Sequence, residues 1–289
     1  MNDFWSANVQ GINTLYYSRK LRFDDMFKEQ YKSAFRLEED KKLKILEIGC
    51  GPGALASALH RWYPGAEITG IDRDTPFIAF AKEHEKNVNF LEGDATALPF
   101  SDETFDVTVS NTVCEHIEPE AFFGEQYRVL KPGGVCLVLS TRKSINVTPD
   151  CLSESETEKR FWEKAQKCTA PDEYPVCGYP MSEAELPSAM EKYGFGAVTT
   201  AYTAIALAPD DPAFSPQKAY EIIDSQRYSS HDSVNGVLRG APDCFTEAEA
   251  QEMRRLINAK FDRRISQYER GEKQWDTAVT LIMIVRGVK

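Results

Sequence analysis

Between residues 43 and 141, short apolar runs alternate with stretches whose apolar residues recur at helical spacing. The apolar runs read KILEIG, AEITGID, NVNFLEG, FDVTVSN and GGVCLVLST, and the helical stretches include ALASALHRWY, FIAFAKEH and residues 119–130. Continuous β-branched runs separated by helices are typical of parallel strands that are buried on both faces. The pattern therefore predicts an α/β fold built on a doubly wound, mostly parallel sheet.

The first 40 residues have a helical pattern of their own. Apolar residues recur there at helical spacing with charged residues between them, at Trp5, Val9, Ile12, Met26, Phe27, Tyr31 and Phe35. No Gly- or Pro-rich linker separates this stretch from the first strand. We therefore predict an N-terminal helical arm over 1–40 that serves as a lid on one domain over 41–289.

A first insertion, predicted over 144–182, interrupts the alternation of strands and helices. SESE at 153–156 resembles a capping box, and a helix bearing Phe161, Trp162 and Ala165 is expected after it. A loop rich in Pro, Cys and Tyr follows. Residues 183–193 then return to a helical pattern that Gly194 ends, and FGAVTTAYTAIAL predicts the next strand.

A second insertion is predicted over 208–271. SSHDSVNG, which contains His231, indicates an exposed loop, whereas TEAE at 246–249 is a capping box that begins a helix. That helix has one apolar face, which comprises Met253, Ile257, Phe261, Ile265 and Tyr268. Gly271 is expected to end the helix, and WDTAVTLIMIVRG predicts the last strand.

Composition narrows the class of protein. Of 289 residues, 42% are hydrophobic and 27% are charged, which suits a globular core, and the formal net charge of −11 opposes binding through phosphate neutralisation. The apolar runs are shorter than the roughly 20 residues of a membrane span. No basic region followed by an apolar stretch marks the N-terminus as a secretory signal. Seven cysteines without a C-x-x-C pair favour a reducing cytoplasm, with neither a disulfide scaffold nor a bound metal.

The segment ILEIGCGPGA at 45–54 predicts a ligand-binding turn. A strand runs into Gly49, Gly51 and Gly53 and then directly into a helix, so that a ligand can lie against main-chain N–H groups. The same string also satisfies the dinucleotide fingerprint G-x-G-x-x-A. Either kind of ligand would use Asp72, which ends the second strand and can accept hydrogen bonds from two ribose hydroxyls.

Glu47 distinguishes the two kinds of ligand. It lies two residues before the first glycine, where a carboxylate would not help a pyrophosphate but would suit a ligand bearing an ammonium and a sulfonium. Further along, LPF-x-D-x-x-FD follows Asp94, and RVLKPGG at 128–134 leads into the fifth strand. With these motifs in this order, residues 43–141 resemble the class I S-adenosylmethionine-dependent methyltransferases of small molecules. The resemblance implies a Rossmann-like, seven-stranded sheet whose last strand is antiparallel.

The resemblance also implies which residues hold S-adenosyl-L-methionine. The glycine loop would contact the methionine and ribose, Asp72 the ribose hydroxyls, and Asp94 with Ala95 the adenine, while Arg73 would stack on the adenine or stay solvated. Asn111 and Thr112 would face the methyl group. The full implied set comprises Glu47, Gly49, Cys50, Gly51, Gly53, Asp72, Arg73, Asp94, Ala95, Asn111 and Thr112.

Methyl transfer from a sulfonium is an in-line displacement that mainly requires alignment, so the chemistry does not demand a catalytic residue. His116, beyond the fourth strand, is a candidate base or a structural contact. Tyr16 and Tyr17 either close over the ligands or pack an amphipathic face. Arg19 and Arg22 either receive a carboxylate or lie on a solvated helix face.

The sequence therefore predicts methyl transfer to a small molecule, because the two insertions are expected to cover the edge where open α/β sheets bind ligands. Three alternatives stay open: a methyltransferase of tRNA or protein, a non-catalytic binder of the cofactor, and methylation of arsenite through Cys114 and Cys177. The last alternative rests on the affinity of soft thiolates for a soft metalloid.

Overall fold

The computed structural model describes residues 4–168 and 177–289. Residues 1–3 of the predicted arm and 169–176 of the Pro-, Cys- and Tyr-rich loop lie outside the described residues.

One seven-stranded sheet forms the centre of the molecule. Its strands are β1 (Lys44–Ile48), β2 (Glu67–Asp72), β3 (Asn89–Glu92), β4 (Phe105–Asn111), β5 (Leu130–Val147), β6 (Gly196–Leu207) and β7 (Thr277–Val288). The strand order is β3-β2-β1-β4-β5-β7-β6, the first five strands are parallel, and β7 runs antiparallel to both of its neighbours. The predicted α/β sheet with an antiparallel last strand is confirmed.

Ten helices occur in the described residues. They are α1 (Phe4–Asn8), α2 (Ile12–Arg22), α3 (Lys28–Phe35), α4 (Ala54–Trp62), α5 (Thr75–His84), α6 (Pro119–Val129), α7 (Glu156–Cys168), α8 (Glu185–Lys192), α9 (Pro216–Gly240) and α10 (Glu247–Glu269). Short 3-10 turns lie at Asp25–Phe27, Cys114–His116, Asp150–Leu152 and Pro242–Cys244. In the described part of the chain, no helix is both long and apolar enough to cross a membrane.

The central strands are apolar along almost their whole length because helices cover both of their faces. The last four residues of β1 are buried, and one of these four is Glu47. The arm takes part in this core: Phe27, Tyr31 and Phe35 are buried against it, as the helical spacing predicted. Met26 is 44% exposed and lies in the 3-10 turn, so its assignment to the apolar face was wrong.

The first insertion begins later than predicted. Residues 144–147 continue β5 and pair with the start of β7, so the strand extends past the parallel part of the sheet. The capping box lies two residues later than predicted, at 155–158. The Glu158 carboxylate accepts from the Ser155 N–H at 2.8 Å, and Ser155 Oγ accepts from the Glu158 N–H at 3.3 Å. Helix α7 carries Phe161, Trp162 and Ala165 as predicted.

The second insertion is an antiparallel pair of long helices. His231, predicted in an exposed loop, lies in α9, where its ring contacts the Asn258 side chain of α10 at 2.9 Å. Nearby Val234 is fully buried, so packing against α10 stabilises a helix that the polar composition disfavours. The predicted capping box at Thr246 is present at the start of α10.

Candidate functional site

A cavity of about 470 Å³ opens at the carboxyl ends of β1, β2 and β4. This size suits a small-molecule ligand, and the position is where open α/β sheets bind ligands. Eleven of the residues predicted for the site line it: Glu47, Gly49, Cys50, Gly51, Asp72, Arg73, Asp94, Ala95, Asn111, Thr112 and His116. The sheet thus brings together residues that are up to 69 positions apart in the chain.

The glycine loop has the conformation that its composition predicted. Gly49, Gly51 and Gly53 all have positive φ, at 66°, 52° and 90°, and residues that carry a Cβ rarely adopt such values. Gly51 lines the cavity and donates its N–H to Asp72 Oδ2 at 2.8 Å. Gly53 starts α4 and is absent from the described cavity lining; a Cβ there would lie 2.7 Å from the ring of Phe90. Its glycine is therefore required by packing as well as by the turn.

Glu47 is the most unusual group in the cavity. Its side chain is only 2% exposed, and its Oε2 has no hydrogen-bond partner in the described part of the chain. Burial raises the pKa of Glu47 well above its usual value, and the nearby Asp72 charge raises it further, whereas the Ala56 N–H lowers it. A buried carboxylate with an unused oxygen costs free energy unless a ligand cation or donor meets it.

Asp72 closes the glycine loop onto β2. Besides the bond from Gly51, its Oδ1 accepts from the Asp74 N–H at 2.9 Å. Burial raises the pKa of Asp72, and these two backbone N–H groups oppose the shift. Each carboxylate oxygen has a second lone pair, so a ligand can still donate two hydrogen bonds to this side chain.

Asp94 and Arg73 lie on the open side of the cavity. Asp94 Oδ1 accepts from the N–H and the hydroxyl of Thr96, both at 2.8 Å, and the Thr96 N–H lowers the pKa of Asp94. Arg73 is exposed. Ala95 is half-buried between them and the sheet. This side of the cavity can accept a flat, polar ring.

The end of β4 is strained. Thr112 has a φ of 54°, a genuine outlier for a β-branched residue, and its N–H donates to the carbonyl of Leu139 at 2.8 Å. The Thr112 hydroxyl donates to the Asn111 carbonyl at 2.7 Å and accepts from Arg19 at 3.3 Å. Asn111 is buried, and its Oδ1 has no partner in the described residues. The strain turns the chain so that both residues border the cavity.

Beyond Thr112 the cavity continues between aromatic side chains. Trp5 of α1 meets the His116 ring edge-on, with 4.6 Å between the ring centroids. Tyr179 is held next to the 3-10 turn by its N–H, which donates to the Glu115 carbonyl at 2.9 Å. All three aromatic residues line the cavity. The space past the strand end is therefore open and partly apolar.

The two tyrosine candidates lie elsewhere. The Tyr16 hydroxyl donates to Glu85 Oε1 at 2.7 Å, and Tyr17 stacks on Tyr228 of α9 with 5.3 Å between the centroids. Neither belongs to the described lining of the cavity. The structure supports packing for both, which was the other interpretation of the pattern.

The sequence predicted cover from both the arm and the two insertions, and in the described residues the expectation for the insertions was wrong because the arm supplies most of it. Five residues of the arm, Trp5, Gln10, Leu15, Arg19 and Phe23, form the roof of the cavity. Of the described insertion residues only Tyr179 lines it. Helix α9 instead supports the arm from behind, because Asp232 accepts from the Gly11 N–H at 2.9 Å. The signal for the arm was its apolar spacing, which does not distinguish a roof from a core contact.

The two cysteines of the arsenite alternative differ in environment. Cys114 is buried and donates to Glu115 Oε2 at 3.1 Å, whereas Cys177 is exposed. Burial and the Glu115 carboxylate raise the pKa of Cys114, which disfavours the thiolate that a metalloid would require. In the described ranges, no group of three or more His, Cys, Asp or Glu side chains could hold a metal ion.

Comparison with known proteins identifies nearly the same segment as the sequence motifs, which covered residues 43–141. Residues 46–138 match the family described as a methyltransferase domain. A demethylmenaquinone methyltransferase of Thermus thermophilus is 43% identical over 101 residues, which cover 33% of this chain and 46% of that protein. A fatty-acid O-methyltransferase of Mycolicibacterium smegmatis is 37% identical over 108 residues, covering 36% and 39%. The chain therefore spans less than half the length of these relatives.

A solved structure extends the likeness in fold to the whole chain. Phosphoethanolamine N-methyltransferase 2 of Haemonchus contortus, solved with S-adenosyl-L-methionine, superposes with a TM-score of 0.54 at 17% identity. The match covers 100% of this chain and 60% of that one. At this identity the likeness concerns the fold.

Proposed function

We propose that this chain, whose residues 46–138 form a class I S-adenosylmethionine-dependent methyltransferase domain, transfers a methyl group to a small-molecule acceptor. The matched relatives are named as methyltransferases of demethylmenaquinone and of fatty acids, which supports a small acceptor. The cytoplasmic location predicted from cysteine usage is part of this proposal.

One observation carries the assignment of the cofactor. Glu47 Oε2 is buried at the cavity floor without a partner, near a second carboxylate, Asp72. Two acidic groups in such a position favour a ligand that brings positive charge and N–H donors. The ammonium and sulfonium of S-adenosylmethionine satisfy that requirement, whereas a dinucleotide pyrophosphate would meet repulsion.

The other residues present also fit this cofactor. Asp72 retains lone pairs for two ribose hydroxyls, and Asp94 with Ala95 borders the side that can take the adenine. Gly51 leaves room for close approach, since a Cβ there would already be 3.3 Å from Leu15 of the roof. When bound, the cofactor supplies an electrophilic methyl group on sulfur.

The chain's contribution to transfer is alignment. Asn111 ends β4 and Thr112 follows it, and both lie between the cofactor part of the cavity and the aromatic part. An acceptor seated between Trp5 and Tyr179 would approach from that open part. Displacement at a sulfonium needs only this geometry unless the acceptor must lose a proton, in which case His116 is the ring placed to take it.

Two alternative functions would require a different cavity. A non-catalytic binder would fill the space beyond Thr112 with side chains, but the cavity continues there to Trp5 and Tyr179. A methyltransferase of tRNA or protein would need a groove open to a polymer, whereas five arm residues roof this cavity. Both observations support a small acceptor.

The experiment that tests the proposal has two steps. Calorimetry measures binding of S-adenosylmethionine and of NADH to the wild-type protein, to Glu47→Gln and to the control Glu120→Gln, an exposed residue of α6. We expect the sulfonium to bind, Glu47→Gln to weaken it by about tenfold or more, and Glu120→Gln to leave it unchanged. Tritiated cofactor with a metabolite extract then identifies the labelled product. Tight NADH binding without binding of the sulfonium would refute the proposal.

A further inference from the structure

Helix α2 places two guanidinium groups over the neighbouring strands β4 and β5. Arg19 Nη2 donates to the hydroxyl of Thr112 at the end of β4, at 3.3 Å. Arg22, one turn later, donates through Nη1 to the hydroxyl of Thr141 in β5, at 3.1 Å. Both arginines are half-buried, so they are not on the solvated helix face that the charge pattern alone would allow.

Neither arginine has an anionic partner at contact distance. In residues 4–168 and 177–289, no carboxylate oxygen lies within 4.0 Å of the guanidinium nitrogens of Arg19 or Arg22. Elsewhere the chain pairs its buried arginine closely, since Arg264 meets two aspartates at 2.7 Å. The contrast marks the two arginines of α2 as an unbalanced positive site.

The surroundings increase this imbalance. Burial lowers the pKa of Arg19 well below its usual value, and the charge of Arg22 lowers it further. Tyr31 and, after it, Glu115 act on Arg19 from a distance and raise its pKa, and the Glu115 carboxylate already accepts the Cys114 thiol. A half-buried guanidinium that has only a hydroxyl partner is poorly compensated for lost hydration.

Arg19 faces the open part of the cavity. It lines the cavity together with Thr112, Trp5 and Tyr179, on the acceptor side of the strand end. A guanidinium presents its donors in a planar fork that matches two oxygens of a carboxylate or a phosphate. The Thr112 hydroxyl occupies one nitrogen, Nη2, and holds the group in place.

We propose that the methyl acceptor carries an oxyanion, a carboxylate or a phosphate, that Arg19 binds directly while Arg22 adds positive charge from behind. The inference rests on the proposed methyl transfer. It makes the cavity dipolar: carboxylates at the Glu47 end receive the cationic cofactor, and guanidinium groups at the other end receive an anionic acceptor. The opposed charges would also fix the direction in which the acceptor enters.

Binding of matched probes tests the inference without knowledge of the acceptor. Calorimetry on the full chain, with and without saturating S-adenosylhomocysteine, compares benzoate with benzamide and phenyl phosphate with phenol. The carboxylate and phosphate arms distinguish the two sources of the oxyanion. The variants are Arg19→Gln, Arg19→Lys and, as a matched control, Lys20→Gln, an exposed residue between the two arginines.

We expect at least one anionic probe to bind more tightly than its neutral partner, and Arg19→Gln to remove about tenfold or more of that preference. Arg19→Lys keeps the charge but not the fork, so it should retain part of the preference, and Lys20→Gln should retain all of it. S-adenosylhomocysteine affinity reports whether each variant is folded. Equal binding of charged and neutral probes, or equal effects of Arg19→Gln and Lys20→Gln, would overturn the inference. Failure of the wild type to bind S-adenosylhomocysteine while it still binds an anion would instead refute the proposed function alone.

Discussion

Replacing Asp72 by Asn changes one atom and tests the cofactor site at its most connected residue. The wild-type carboxylate accepts from the Gly51 N–H at 2.8 Å through Oδ2 and from the Asp74 N–H at 2.9 Å through Oδ1. An amide has one acceptor oxygen, so its NH₂ group must face one of these two donors. The substitution therefore weakens the glycine loop as well as the hydrogen bonds that the ligand's ribose would make.

The size of the effect follows from the change in hydrogen-bond type. A hydrogen bond to a charged acceptor contributes about 1.5–3 kcal/mol, and one to a neutral acceptor about 0.5–1.5 kcal/mol. Two ribose hydroxyls bound to an amide instead of a carboxylate thus lose about 2–3 kcal/mol together. This loss corresponds to a decrease in affinity of about 30- to 150-fold.

Calorimetry with S-adenosylhomocysteine measures the decrease, and Glu83→Gln, an exposed position on α5, is the matched control. Adenosine and 2′-deoxyadenosine separate the ribose contribution from the loop contribution. In the wild type adenosine should bind more tightly, and in Asp72→Asn the two should converge. An Asp72→Asn protein that binds S-adenosylhomocysteine within about threefold of the wild type, or that keeps the preference for adenosine, would refute the assigned role of Asp72.

Three further predictions concern charge, stability and the arm. Because burial raises the folded-state pKa of Glu47 above its usual 4.5, its contribution to stability is present at low pH and is lost as pH rises through the raised value. Glu47→Gln should therefore raise the melting temperature of the ligand-free protein at neutral pH but not at pH 4. A lower melting temperature at neutral pH would contradict this. Arg264→Met should lower the free energy of unfolding by about 3–5 kcal/mol in urea titration, because it leaves the buried carboxylates of Asp210 and Asp276 unpaired. A loss below about 1 kcal/mol would show that these two ion pairs do not stabilise the fold. S-adenosylhomocysteine should slow amide hydrogen exchange in residues 12–22, and unchanged exchange there would mean that the arm does not respond to the cofactor.

The fold was predictable where the sequence repeats one physical pattern. Strands β1, β2 and β4 are short, mostly buried runs that end at the loops the pattern marked. The glycines at 49, 51 and 53 have the positive φ values that their spacing implied. Asp72 and Glu47 followed from the same logic, because a residue at the carboxyl end of a buried parallel strand must face the ligand edge.

The insertions were less predictable because their structure depends on distant partners. Residues 144–147 were predicted to start an insertion, but they pair with residues of β7 that lie 130 to 136 positions later. His231 lies in a polar stretch that is helical only because α10 packs against it. Local composition does not contain either contact, so the pattern alone favoured a loop in both places.

The hydrophobic pattern of the arm does not predict which residues of α2 form the roof of the cavity. Helix α2 brings Leu15 over the glycine loop and, one turn later, Arg19 over the end of β4. One rigid helix therefore covers both the cofactor end and the acceptor end of the cavity. Helix α9 supports this helix through the stacked rings of Tyr17 and Tyr228. Tyr16 and Tyr17, which were weighed as catalysts, thus pack and hold the helix whose neighbouring residues Leu15 and Arg19 line the cavity.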